Sequence, residues 1–370
     1  MVARLFAVLV LLCAAMLPLS GRAESIRQDS MRIPAIFPGL LGTSKAVLEA
    51  LVVRPDGPGP FPLAVLNHGS PRDPAVRGQM SPNGMLPQAR EFARRGWAAV
   101  VVMRRGFGGT EGDWAEGNGP CKSPDYKTAG ERGAEDIRQA IRFLAQQPYV
   151  DPKRIISVGV SAGGFATVAL TADPPPGLVA AVSFAGGRGS RADDEVCAPD
   201  RLVDAFRGFG RTSRVPMLWV YAENDHFFGP HLARDFHAAF TGAGGRADFV
   251  AAPTFGKDGH SLFSGPGIPQ WTPTLDHFLA EQKLAPRKSL IDLPTAALPP
   301  PPNLSERGRA GFQEYLAAAP NKAFAVSPDG AFGWRTGRRS AEDARDGALE
   351  NCAKNTKRTC RVVYVNEEAE

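Results

Sequence analysis

The sequence predicts an α/β fold, a mostly parallel central sheet with helices on both faces, followed by a small C-terminal α+β module. Three observations carry this. Short apolar runs recur at residues 47–53, 62–66, 97–103, 155–158, 179–184, 216–221 and 247–251. Amphipathic stretches separate several of them, most clearly 134–146, where Ile137, Ile141 and Leu144 fall at helical spacing. Strands that alternate with helices make a parallel sheet covered on both sides. Finally, the run at 155–158 leads into Gly159, Ser161 and Gly163, and a helix-like stretch at 165–170 follows.

The first 23 residues have a different character. A short basic start with Arg4 precedes an apolar run over 5–19, and small residues stand at Gly21 and Ala23. These are the parts of an export signal, and the run is shorter than the roughly 20 residues a spanning helix needs. The expectation is removal before Glu24, no stable membrane span afterwards, and a periplasmic or secreted protein. The formal charge of +5 then falls by two, because Arg4 and Arg22 leave with the segment. The remaining charge is weak and dispersed, which excludes a nucleic-acid partner. With 43% hydrophobic and 22% charged residues, neither a disordered chain nor a multi-span membrane protein fits.

The block 24–283 reads as one α/β domain. Residues 24–45 are expected to precede its first strand. Residues 284–307 carry Pro286, Pro294 and a run from Pro299 to Pro302, which suits a semi-rigid spacer. Residues 308–370 read as a separate module. Three aromatics, Phe324, Phe332 and Trp334, fall close together, 341–351 is helix-like, 362–365 is an apolar run, and Cys352 and Cys360 are placed to staple it.

The chemistry centres on Ser161. A serine on a tight strand-to-helix turn sits in a strained backbone with its hydroxyl above the sheet edge, and side chains two residues either side would clash. The following helix N-terminus directs the Ala162 N–H at a developing oxyanion. A serine needs a base, and the base needs an orienting acid. His260 lies in a turn-rich loop beyond the run at 247–251, whereas His231, His237 and His277 fall in helix-like stretches. The run at 216–221 leads to Asp225, the expected acid, with Glu223 and Asp258 as alternatives. The second oxyanion donor is expected from the loop after 62–66, at the N–H of Ser70, with His68 shaping that loop. This chemistry calls for no metal and no organic cofactor.

Together, the Asn67-His68-Gly69 loop, the Gly-rich segment 105–112, the Ser161 turn, Asp225 and His260 resemble the α/β-hydrolase superfamily. The likeness covers residues 45–283 and is greatest to its dienelactone-hydrolase-like and prolyl-oligopeptidase-like branch. It implies the α/β-hydrolase fold and a Ser161–His260–Asp225 triad. Dienelactone hydrolases resemble one another in a cysteine nucleophile, where this chain has Ser161. The propeller of prolyl-oligopeptidase relatives has no counterpart in 24–45. Residues 308–370 resemble a small cysteine-containing module of exported bacterial proteins, for which the likeness implies no function.

Four cysteines remain after signal removal, an even number suited to an oxidising compartment. Cys121 and Cys197 both follow strands at the sheet's C-terminal edge, so a bridge between two rim loops is expected. His68, Phe107, Trp114, His226 and Phe227 are candidates for a substrate pocket. The function expected is an exported serine hydrolase acting on a small carboxylic ester or acyl substrate. The alternatives are a peptidase or amidase with the same triad, or a non-catalytic binding protein whose C-terminal module takes an envelope component.

Overall fold

In the computed structural model, the structure describes residues 25–39, 42–293 and 298–370. The predicted export signal lies outside the described residues. No helix among them is long and apolar enough to cross a membrane.

The first unit runs β1 (Ile26–Gly39), β2 (Gly42–Pro55), β3 (Phe61–Asn67), α1 (Leu86–Arg94), β4 (Ala98–Val102), α2 (Tyr126–Leu144), β5 (Val150–Val160), α3 (Ala162–Ala172) and β6 (Leu178–Phe184). It continues through a small hairpin, β7 (Ser190–Ala192) and β8 (Glu195–Val196), then α4 (Pro199–Gly210), β9 (Met217–Ala222), α5 (Pro230–Gly242), β10 (Ala247–Ala252) and α6 (Ile268–Glu281). Eight strands form one sheet in the order β1-β2-β4-β3-β5-β6-β9-β10. The β1–β2 and β2–β4 pairs are antiparallel and the remaining pairs are parallel. This is the α/β-hydrolase arrangement.

Both faces of the sheet are covered, and the strands are apolar on both sides for that reason. Along β3, Leu63 and Val65 pack on the face holding α2, α3, α4 and α5, while Ala64 and Leu66 point towards α1 and α6. Helix α3 lies deepest, with every residue from Ala162 to Thr171 buried.

Strand β1 is a departure from the expectation that 24–45 precedes the first strand. Its buried residues Ile33, Ala35 and Phe37 alternate with exposed Arg32, Pro34 and Ile36. That period-two pattern belongs to an edge strand with one wet face, not to a continuous apolar run.

The C-terminal unit comprises α7 (Glu306–Ala317), β11 (Ala323–Val326), β12 (Phe332–Arg335), α8 (Ala341–Ala353), β13 (Arg361–Val365) and β14 (Glu368–Ala369). Its sheet runs β12-β11-β13-β14. Phe312 and Tyr315 of α7 meet Phe324 and Tyr364 on one face, and Ala344, Ala348 and Cys352 of α8 meet Ala323 and Ala325 on the other. Cys352 and Cys360 are joined.

The Pro-rich connection is more tied down than a spacer. The Ile291 N–H donates to the Arg94 carbonyl at 3.0 Å. The Tyr364 hydroxyl donates to the Pro299 carbonyl at 2.8 Å. Helix α7 starts within the expected linker, because Ser305 caps it by accepting the Gly308 N–H at 3.1 Å. Arg339 reaches the first unit, 3.4 Å from Glu49 Oε2.

Candidate active site

Ser161 stands between β5 and α3 with φ 55° and ψ −123°. A non-glycine residue holds such a backbone only when its surroundings over-determine it. Those surroundings are visible. The Ser161 N–H donates to the Phe184 carbonyl at 3.0 Å, and the Ser161 carbonyl accepts from Phe165 at 2.9 Å and Gly187 at 3.1 Å. The two glycines are required by space. A Cβ on Gly159 would lie 2.2 Å from the Gly163 carbonyl oxygen, and one on Gly163 would lie 2.2 Å from that of Asn67. Below the turn, buried Asn67 donates to Ser157 Oγ at 3.0 Å and Thr167 Oγ1 at 3.1 Å, tying β3, β5 and α3 together.

His260 lies in a single 3-10 turn, Gly259–Ser261, capped by Asp258 Oδ1, which accepts the His260 N–H at 2.9 Å. Its Nδ1 is 3.1 Å from Asp225 Oδ2 and 3.2 Å from Oδ1. The Asp225 side chain is fully buried. Its Oδ1 also accepts the N–H groups of Phe227 at 2.7 Å and Phe228 at 2.9 Å, which fixes the carboxylate after β9. Of the alternatives, Glu223 is exposed, and Asp258 accepts the backbone N–H of His226 at 3.1 Å besides that of His260. Asp225 is the carboxylate that engages the imidazole.

Phe227 stacks on the His260 ring at 3.8 Å with planes 7° apart, and Phe228 meets it edge-on at 5.6 Å. Phe228 in turn lies against Gly187, whose N–H holds the Ser161 carbonyl. The serine turn and the imidazole therefore flank one phenylalanine at the C-terminal edge of the sheet.

The loop after β3 passes directly over the serine, since a Cβ on Gly69 would be 3.1 Å from Ser161 Cβ. His68 Nδ1 donates to the Gly69 carbonyl at 2.7 Å, and its Nε2 accepts the Arg104 N–H at 3.2 Å. Burial, together with nearby Arg104, pushes the His68 imidazole down to about 3, so the ring is neutral. These bonds fix the backbone at His68 and Gly69 next to Ser161.

Three of the expected pocket residues fall elsewhere. Phe107 is completely buried and meets the edge of His68 at 4.6 Å. Both rings stand behind the loop, because His68 is only 4% exposed. Trp114 lies beneath the Arg77 guanidinium at 3.4 Å and lines a separate cavity of about 570 Å³ with Phe37, Arg105 and Thr128. The apolar character of these rings serves packing rather than the cleft. His226 stays at the rim, half-exposed, with its Nδ1 3.0 Å from Asp194 Oδ2. The hydrogen bond to Asp194 holds its pKa above the ordinary value.

Two contributors escaped the sequence reading. The Arg72 guanidinium covers the other side of Phe227 at 3.6 Å and donates to Ser190 Oγ at 3.1 Å, the Ala192 carbonyl at 3.0 Å and Asp193 Oδ1 at 2.8 Å. It thus joins the loop after β3 to the β7–β8 hairpin. Beneath the loop lies a buried ionic group in which Glu116 pairs with Arg104 and, at 2.8 Å, with Arg188. Burial alone would raise the Glu116 carboxyl, but the two guanidiniums hold it down to about 2. Nothing local in the sequence signals either, since the partners are up to 121 residues apart. The Cys121–Cys197 disulfide closes the rim, with Cα atoms 4.9 Å apart.

The profile of the X-Pro dipeptidyl-peptidase (S15) family matches residues 44–237. Comparison with functionally curated proteins gives no match. Among solved structures, the chain is similar to a candidate dienelactone hydrolase of Klebsiella pneumoniae (18% identity, 70% of this chain and 99% of that one, TM-score 0.49). It is also similar to esterase 2 of Thermogutta terrifontis, both phosphorylated by paraoxon (19% identity, 70% and 96%, TM-score 0.48) and with propionate bound (20% identity, 66% and 92%, TM-score 0.46).

Proposed function

The chain belongs to the X-Pro dipeptidyl-peptidase (S15) family of hydrolases, and on that premise we propose that it is an exported serine hydrolase that cleaves carboxylic esters through Ser161, His260 and Asp225. The observation that carries the reading is the bond from His260 Nδ1 to the buried Asp225 carboxylate, 3.1 Å long, in a chain whose Ser161 is held in a strained backbone at the end of β5.

In this mechanism Ser161 Oγ attacks the substrate carbonyl while His260 Nε2 takes its proton. Asp225 holds the imidazole in the tautomer with Nδ1 protonated and stabilises the imidazolium that forms. The N–H groups of Ala162 and Ser70 receive the oxyanion, a contribution of about 3 kcal/mol for a single donor. The carbonyl–oxygen bond of the ester then breaks, and His260 returns the proton to the leaving alcohol. Water, deprotonated by His260, attacks the acyl-enzyme and releases the acid with Ser161 restored.

Export is supported by the N-terminal signal features and by two disulfides among the described residues. A second reading, cleavage of amide or peptide bonds, is favoured by the family match, whose printed activity is a dipeptidyl peptidase. The acyl-enzyme chemistry is common to both. A panel of p-nitrophenyl acetate, p-nitrophenyl butyrate and an Xaa-Pro p-nitroanilide separates them. Ester turnover in excess of anilide turnover is the expected result, and the reverse order makes the protein a peptidase.

A further inference from the structure

The groove along the free edge of the C-terminal sheet has a chemistry that the hydrolase site does not use. It encloses about 880 Å³ beside β12, the outermost strand. Four cations line it, Arg307, Arg335, Arg338 and Lys354, and no carboxylate does. Among the described residues none of the four makes an ion pair, and Arg335 Nε is buried without a hydrogen-bond partner. A concave surface of one sign focuses its field on a ligand of the other.

The remaining lining narrows the ligand further. Phe332 and Trp334 contribute aromatic surface, which suits an apolar ring face. Asn351 donates to the Trp334 carbonyl at 3.0 Å, and Asn355 to the Phe332 carbonyl at 3.4 Å. Those bonds occupy the outward carbonyls of β12 and block an added strand, the mode by which an extended peptide would bind an edge. The Asn351 oxygen accepts from the Lys354 ammonium at 3.4 Å, while Asn355 leaves its amide oxygen as an acceptor for a hydroxyl group. Carboxylates for the cations, a hydroxyl for the Asn355 amide oxygen and ring faces for the aromatics describe one ligand class.

We propose that this groove binds an acidic oligosaccharide, a sugar chain bearing carboxylates. The site is independent of the triad, so its test reads binding and not turnover. Tetragalacturonate is titrated into the full mature protein by calorimetry at low and at high salt, alongside maltotetraose and inorganic tripolyphosphate. The expected result is saturable 1:1 binding of tetragalacturonate that weakens with salt, with the two controls binding at least tenfold more weakly. Exposed Arg307→Glu and Lys354→Glu each lower the affinity at least tenfold while hydrolase turnover and the thermal midpoint stay at the wild-type value. Absence of binding to the folded protein, equal affinity for maltotetraose or tripolyphosphate, or retention of wild-type affinity in both variants overturns the proposal.

Discussion

Phe227 lies flat on His260, with ring centroids 3.8 Å apart and planes 7° from parallel. The opposite face of Phe227 carries the Arg72 guanidinium at 3.6 Å. The imidazole is therefore oriented by two agents at once, the Asp225 carboxylate in its plane and a clamped aromatic ring on its face. The clamp reaches across the cleft, because Arg72 belongs to the loop that passes over Ser161 and is bonded to the β7–β8 hairpin.

Loosening the clamp is expected to affect the chemical step more than binding. Arg72→Ala and Phe227→Leu leave Ser161, His260 and Asp225 intact but free the ring to tilt. A small misplacement of a catalytic group costs up to about 100-fold in rate. The expected outcome in steady-state kinetics is a kcat lowered by about 10-fold to 100-fold with KM within about threefold of wild type. A change confined to KM would assign Arg72 to substrate contact instead.

Asp225→Asn replaces an acceptor with a group that can donate, which selects the wrong imidazole tautomer. A loss in kcat of about 10⁴-fold is expected, with the fold retained. Glu223→Gln, at an exposed position, is expected to leave turnover unchanged. Parallel kinetics on the two variants checks the assignment of the acid.

Much of this site was legible because its determinants are local. The strand at 155–158, the two glycines and the helix behind them are contiguous, and the steric need for Gly159 and Gly163 is a property of that turn. Asp225 and His260, which the structure brings together, each follow a strand, a position the sequence shows. The pocket aromatics could not be sorted in the same way. Phe107 and Phe227 are both Phe beside rim loops, yet one is buried behind His68 and the other faces His260. Arg72, Glu116 and Arg188 find their partners only through the fold. Strand β1 was missed because its polar face breaks the apolar run that marks the interior strands.

The ionic group beneath the loop after β3 gives a pH dependence of stability. Glu116 has a folded pKa of about 2 against an ordinary 4.5. The folded state thus binds fewer protons than the unfolded chain between those values. Its contribution is complete above pH 4.5 and is lost as the pH falls towards 2. Glu116→Gln removes that dependence and leaves Arg104 and Arg188 buried without a counter-charge, a loss of about 3–5 kcal/mol. Denaturant midpoints of wild type and variant from pH 7 down to pH 3 check both the magnitude and the window.

The rim disulfide closes a long loop. Cys121 and Cys197 are 76 residues apart, and a bridge of that span constrains the unfolded chain by about 4 kcal/mol in the entropy model. The paired Cys121→Ser and Cys197→Ser variant is expected to lose stability of that order in chemical denaturation. Cys352 and Cys360 are only 8 residues apart, so removing that bridge costs less.

The central claim is that Ser161 is a working nucleophile, activated by His260 and supported by an oxyanion site. Labelling of the purified mature protein with a fluorophosphonate tests it most directly, with Ser161→Ala as the control. Such a probe phosphonylates an activated serine and depends on the base and the oxyanion donors together. The account predicts stoichiometric labelling of the wild type and none of the variant. A folded wild-type protein that takes up no label, or equal labelling of Ser161→Ala, would contradict it.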